Sequence, residues 1–204
     1  MAKSAKLLVF FLCVLPLCFL AFDVWREYQQ PGSALGAEPA EAVVHFLGNW
    51  AVRMLLITLS ISSLSRRIRT LNLIPFRRML GLFAFAYVCL HFASYFFLLA
   101  GGEWAGLLED FSERPYITVG ISAFLLLVPL AITSTRGWQR RLRQSWKKLH
   151  RLVYAVAILA VVHIAWLAKS SYLEAVMYAT WVGCLLLERL LIRGRAAVQQ
   201  KQAT

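Results

Sequence analysis

The stretch WKKLHRLVYAVAILAVVHIAW, residues 146–166, decides how the chain is read. A basic lead-in passes directly into an apolar run holding two histidines, His150 at its polar edge and His163 thirteen residues further on. On a helix rising ~1.5 Å per residue that separation is ~20 Å, so the two imidazoles lie at different depths in a hydrocarbon layer ~30 Å thick. They cannot share one metal ion. They also stand about 140° apart in azimuth, so the spacing alone does not turn both toward one neighbour.

The same arrangement of basic edge and apolar run recurs along the chain. Of its 204 residues 60% are hydrophobic, and the mean hydropathy is +0.63, well above the apolar share of a soluble domain. The sequence predicts an integral membrane protein. Six apolar segments, at about 7–25, 43–63, 79–100, 115–133, 150–168 and 173–192, are each long enough to span as a helix, giving an all-α bundle in a single domain over 1–204. A formal charge of +12 would suit a polyanion, but the basic residues flank the apolar runs and form no separate polar domain, so nucleic acid is excluded as a partner. If the N-terminus is cytoplasmic, eighteen of the 22 Lys and Arg residues fall on that side, and nine of the ten acids fall opposite. The positive-inside rule then puts both termini in the cytoplasm.

The first apolar run has the charged lead-in of a secretory signal in Lys3 and Lys6, but it reaches Trp25 without a small-residue cleavage pattern and reads as a retained helix. Cys13, Cys18, Cys89 and Cys184 all sit inside apolar segments with no CxxC pair, which argues against a disulfide framework or a zinc site. The inner segment TRGWQRRLRQSWKKLH suits anionic lipid headgroups as well as topology, and the outer GGEWAGLLEDFSERPY contains an apolar stretch able to lie along the interface. The tail RGRAAVQQKQAT reads as polar and frayed. No GxGxxG or P-loop context occurs, so electrons moved by this chain must be delivered to it.

Within the third segment, RRMLGLFAFAYVCLHFASYFF, His91 lies thirteen residues above Arg78, against the twelve separating His163 from Arg151. Both segments run outward from a basic edge, so the two histidines arrive at one depth, ~18–20 Å above it. Two neutral imidazoles at one level on separate helices are what a six-coordinate haem requires, one on each face of the porphyrin. The alternative is a pair of buried histidines hydrogen-bonded to something else. Arg53, inside the second segment, either snorkels outward or pairs with a buried anion such as a haem propionate. His45 lies at the outer interface and reads as a solvated or capping residue.

With those residues in view the chain resembles the haem-binding membrane subunits of periplasmic protein methionine sulfoxide reductase systems, within the ferric-reductase-like transmembrane domain family. The resemblance covers most of the chain and rests on RRMLGLFAFAYVCLHFASY at 77–95, RPYITVG at 114–120, TSTR at 133–136 and the opening stretch at 146–166. It implies a b-type haem protein of the bacterial inner membrane that also binds FMN. It further implies that the chain takes electrons from the quinone pool and passes them to a periplasmic molybdopterin reductase that repairs oxidised methionine in envelope proteins. The chain would be the quinol-oxidising electron-transfer subunit, not the catalytic reductase. Carried over, His91 and His163 match the axial-ligand positions and His150 the family's third histidine, with Arg53, Arg77 and Arg78 as candidates for propionate, flavin phosphate or quinone contacts. Arg77 and Arg78 stand where a partner for His150 would sit in two-haem relatives, which argues against a second bis-histidine haem. The competing readings are a haem reductase for another acceptor such as ferric iron, and a non-redox transporter or assembly subunit.

Overall fold

In hydrocarbon a backbone has no water to bond, so long apolar runs must satisfy their own N–H and C=O groups as helices. The computed structural model describes residues 3–68, 73–168 and 172–202, and contains no strand among them. In chain order the helices are α1 (Lys3–Gln29), α2 (Pro39–Arg67), α3 (Ile74–Ser94, continued by a π-helical turn at Tyr95–Leu99), α4 (Trp104–Glu113), α5 (Pro115–Ile132), α6 (Arg136–Leu149), α7 (Leu152–Leu167) and α8 (Leu173–Gln202). Arg69 and Lys169, both used in the charge count, lie outside the described residues.

Five segments are long and apolar enough to cross a membrane: α1, α2, α3 with its π-helical turn, α5, and the Leu173–Ile192 part of α8. The remaining apolar segment is α7, only 16 residues long. It meets α6 at a 48° bend, and the bent pair is the sixth candidate span.

Three stretches read from the sequence as connections or tail are helical. The basic segment after α5 forms α6, started by Thr135, whose hydroxyl accepts the Trp138 N–H at 3.3 Å, and anchored where the Trp146 indole donates to the Thr133 carbonyl at 2.9 Å. The acidic outer connection forms α4. The tail continues α8 to Gln202, since RAAVQQKQ contains good helix formers and no proline. By contrast, the Gly- and Pro-rich connection between α1 and α2 stays irregular, and the Glu27 carboxylate accepts the backbone N–H groups of Gly32, Ala34 and Leu35. An acid counted as outer charge therefore also closes the turn.

The helices pack in two pairs, α2 along α3 and α5 along α7, with α8 between α2 and α7 and α3 touching α5. Leu56 of α2 and Tyr87 of α3 lie at the centre, fully buried. α1 leans on α3 through Cys13, Pro16 and Leu20, and the Tyr87 hydroxyl donates to the Cys13 carbonyl at 2.8 Å. Its other face, including Leu8, Phe11, Leu15 and Phe19, is exposed, as expected of a helix that looks into lipid.

Candidate functional site

Equal depth on two helices becomes a contact only if both side chains turn to the same gap. The structure turns them: the His91 ring on α3 and the His163 ring on α7 have centroids 6.4 Å apart, with ring planes at 78°. Two imidazoles bound to opposite faces of one metal through bonds of ~2 Å would have centroids ~6 Å apart. The observed spacing fits one metal centre between them.

Each ring is held in the same way. His91 Nδ1 lies 2.9 Å from the Val44 carbonyl on α2, and His163 Nδ1 lies 2.6 Å from the Tyr116 carbonyl on α5. A carbonyl only accepts, so Nδ1 carries a proton, and in the neutral ring Nε2 keeps its lone pair. This is the tautomer a metal-binding histidine needs, with the second ring nitrogen oriented by a backbone acceptor. Four residues after each carbonyl comes a glycine. A β-carbon at Gly48 would stand 3.0 Å from Cε1 and Nδ1 of His91, and one at Gly120 would stand 2.9 Å and 3.0 Å from the same atoms of His163. Each imidazole thus lies in a notch that any larger residue would fill.

His150 does not join this pair. It sits in the elbow between α6 and α7, stacked on Trp146 with centroids 3.9 Å apart, its Nδ1 3.1 Å from the Trp146 carbonyl and its Nε2 buried without a hydrogen-bond partner. Nearby at the inner end a cavity of about 270 Å³ is lined by Ser62, Arg66, Arg77, Tyr154, Arg189 and Ile192. Arg66 pairs with Glu188 at 3.4 Å, and Arg189 crosses the Tyr154 ring at 4.5 Å and donates to the Leu59 carbonyl at 2.8 Å. Three guanidinium groups around one cavity favour an anion. Arg77 lines it, while Arg78 is exposed and does not.

Arg53 faces α8. Its Nε donates to the Tyr178 hydroxyl at 3.0 Å, its guanidinium lies 5.3 Å from the Trp50 ring centre, and Glu174 is 3.8 Å away. The carboxylate beside Arg53 is thus an exposed one of the chain itself. His45 is exposed near the N-terminal end of α2.

α4 packs against α5. Asp110 accepts from the Tyr95 hydroxyl and pairs with Arg114 at 3.1 Å, and Asp110 holds that guanidinium's pKa above its ordinary value. The Thr118 hydroxyl donates to the Phe111 carbonyl at 2.6 Å, joining α4 to the helix that carries Tyr116.

Val44, Gly48, Tyr116 and Gly120 escape sequence reasoning because backbone carbonyls and glycines carry no chemical signature. A signal was nevertheless present: the interval from carbonyl to histidine is 47 residues in both pairs, and the glycine follows the carbonyl by four in each.

A family model described as ferric reductase like transmembrane component matches residues 47–161, a range that includes Gly48, His91, Gly120 and His150 but stops just short of His163. The chain is 46% identical over 183 residues to a protein of Xanthomonas campestris pv. campestris (strain 8004) named protein-methionine-sulfoxide reductase heme-binding subunit MsrQ, covering 90% of this chain and 84% of that one. Proteins of the same name from Xanthomonas oryzae pv. oryzae (strain MAFF 311018), 46% identical over 89% of this chain and 84% of the relative, and from Caulobacter vibrioides, 41% identical over 90% and 85%, are similar throughout. No solved structure matches. Five or six membrane-crossing helices, a paired-histidine centre and likeness along nine-tenths of the chain lead to one assignment: this multi-pass membrane protein belongs to the ferric-reductase-like transmembrane component family and, within it, to the protein-methionine-sulfoxide reductase heme-binding subunits.

Proposed function

We propose that the chain is the haem-bearing electron-transfer subunit of a periplasmic methionine sulfoxide reductase system, with His91 and His163 as the axial ligands of a b-type haem. The observation that carries this reading is the facing pair itself: two imidazoles 6.4 Å apart, each with Nδ1 on a carbonyl and Nε2 free to coordinate. The facing pair offers two imidazole donors, the number a porphyrin iron leaves open. A haem held there supplies one-electron chemistry, and the helices around it exclude water and stabilise the less charged state of the centre.

The rest of the proposal follows from placement. With α6 and α7 read as one bent crossing, six spans would bring both termini to one side, and the Lys and Arg bias supports the cytoplasm of a bacterial inner membrane as that side, with His91 and His163 in the outer half. The relatives' name supports a methionine sulfoxide reductase as partner, and the resemblance alone supports its being a periplasmic molybdopterin enzyme and the quinone pool being the donor. FMN is supported by the resemblance alone, and the arginine-lined inner cavity offers a setting for its phosphate. The test is a dithionite-reduced minus oxidised visible spectrum of detergent-purified wild type, His91→Ala and His163→Ala, with pyridine haemochrome quantified. A sharp low-spin b-type spectrum in the wild type that disappears in both folded variants is expected. A normal spectrum in either variant would sink the ligand assignment, and a colourless wild type expressed with ample haem would leave the transporter or assembly reading.

A further inference from the structure

We infer that Gly48 and Gly120, together with the carbonyls of Val44 and Tyr116, are positioning residues that fix the rotation of the two imidazoles, holding their planes close to perpendicular across the metal centre. The inference rests on the reading of His91 and His163 as axial ligands and adds what sets their mutual angle.

Rotation of an imidazole about its Cβ–Cγ bond is a soft torsion, broad and without the three sharp wells of a saturated chain. Rotamer preference therefore does not decide where each ring plane points. Two contacts do. The Nδ1–H bond to a carbonyl of the neighbouring helix selects one direction in the ring plane. The glycine one turn later lets the Cε1–Nδ1 edge press against the helix backbone, at a distance where a β-carbon would stand 2.9–3.0 Å away, well inside the ~3.5–4.0 Å of ordinary carbon contact. α2 presents this carbonyl and notch to α3, and α5 presents the same pair to α7. The two rings end at 78° to one another. None of the other helical glycines packs against a histidine: a β-carbon at Gly81 meets only Thr58 Cγ2 at 3.6 Å, one at Gly106 meets the Ala100 carbonyl oxygen at 3.1 Å, and one at Gly183 meets nothing within 4 Å.

The angle has an electronic consequence. Each imidazole mixes its π orbital with the iron d orbital perpendicular to its ring plane. Parallel planes both raise the same orbital and separate it from its partner, whereas perpendicular planes raise one each and leave the two nearly degenerate. A ferric low-spin centre of the second kind gives a single, strongly anisotropic EPR signal, and one of the first kind gives a rhombic signal.

The experiment is low-temperature EPR of the oxidised, haem-loaded, full-length protein in detergent, with haem content measured on the same samples, for wild type, Gly48→Ala, Gly120→Ala and Gly183→Ala. The wild type and Gly183→Ala are expected to give the strongly anisotropic signal. Gly48→Ala and Gly120→Ala are expected to keep six-coordinate low-spin haem while that signal is lost in favour of a rhombic one, because the added methyl group turns the ring off its notch. A rhombic wild-type signal would overturn the inference even if the alanine variants fail to fold, and so would wild-type signals in both notch variants at full haem content. Low-spin haem persisting in His91→Ala and His163→Ala would instead overturn the ligand reading beneath it.

Discussion

The outer and inner ends of the α2–α3 and α5–α7 pairs are built on opposite rules. At the outer end the pairs match: carbonyl, glycine and histidine recur at the same intervals, and the two imidazoles meet. Thirteen residues before each histidine the match is broken, with Arg78 on α3 and His150 in the turn that precedes α7. Arg78 is exposed, and His150 lies in the elbow against Trp146, beside a cavity lined by arginines. Two facing imidazoles occur only where both halves supply one. The other end lacks that equivalence and gathers Arg66, Arg77 and Arg189 around one cavity, a setting that favours anions.

The largest effects should separate these two ends. His91→Ala and His163→Ala are expected to abolish the low-spin haem spectrum completely, while His150→Ala keeps the main spectrum and its haem stoichiometry, read by pyridine haemochrome. Loss of all haem in His150→Ala would show that the inner end takes part in the centre. Next, Arg77→Gln is expected to leave haem content unchanged and to lower the flavin released on denaturation, whereas Arg78→Gln, outside the cavity, leaves both unchanged. Equal flavin in both variants would remove the cavity as its site.

Two smaller effects concern the packing that joins these ends to their neighbours. Tyr87→Phe removes the hydroxyl that α3 donates to the Cys13 carbonyl, and should cost about 1 kcal/mol, read as a lowered unfolding temperature in detergent by circular dichroism. No change would mean that α1 is held by apolar contact alone. Arg53→Met removes the exposed pair with Glu174 and the hydrogen bond to the buried Tyr178, should cost about 1 kcal/mol, and should leave the haem spectrum and reduction potential at wild-type values. A shifted potential would return Arg53 to the haem site.

What sequence alone could determine was what varies along one helix. Depth advances ~1.5 Å per residue whatever the neighbours do, so His91 and His163 were placed at one level, and His150 at another, by counting from basic edges. Apolar runs likewise fix the helical class, because hydrocarbon leaves the backbone no other partner. Even here side-chain counting missed α6 and the α8 extension, whose polar surfaces look like connections until propensity and capping are weighed. Tertiary structure decided what depends on how helices turn toward each other. Azimuth is set by packing between segments far apart in sequence, so only the fold shows that the Val44 and Tyr116 carbonyls orient the histidines and that glycines make room for them. The same packing gives Arg53 to Glu174 and Tyr178, residues more than a hundred positions away. A helix carries its own ruler for height, but its direction of facing is chosen by its neighbours.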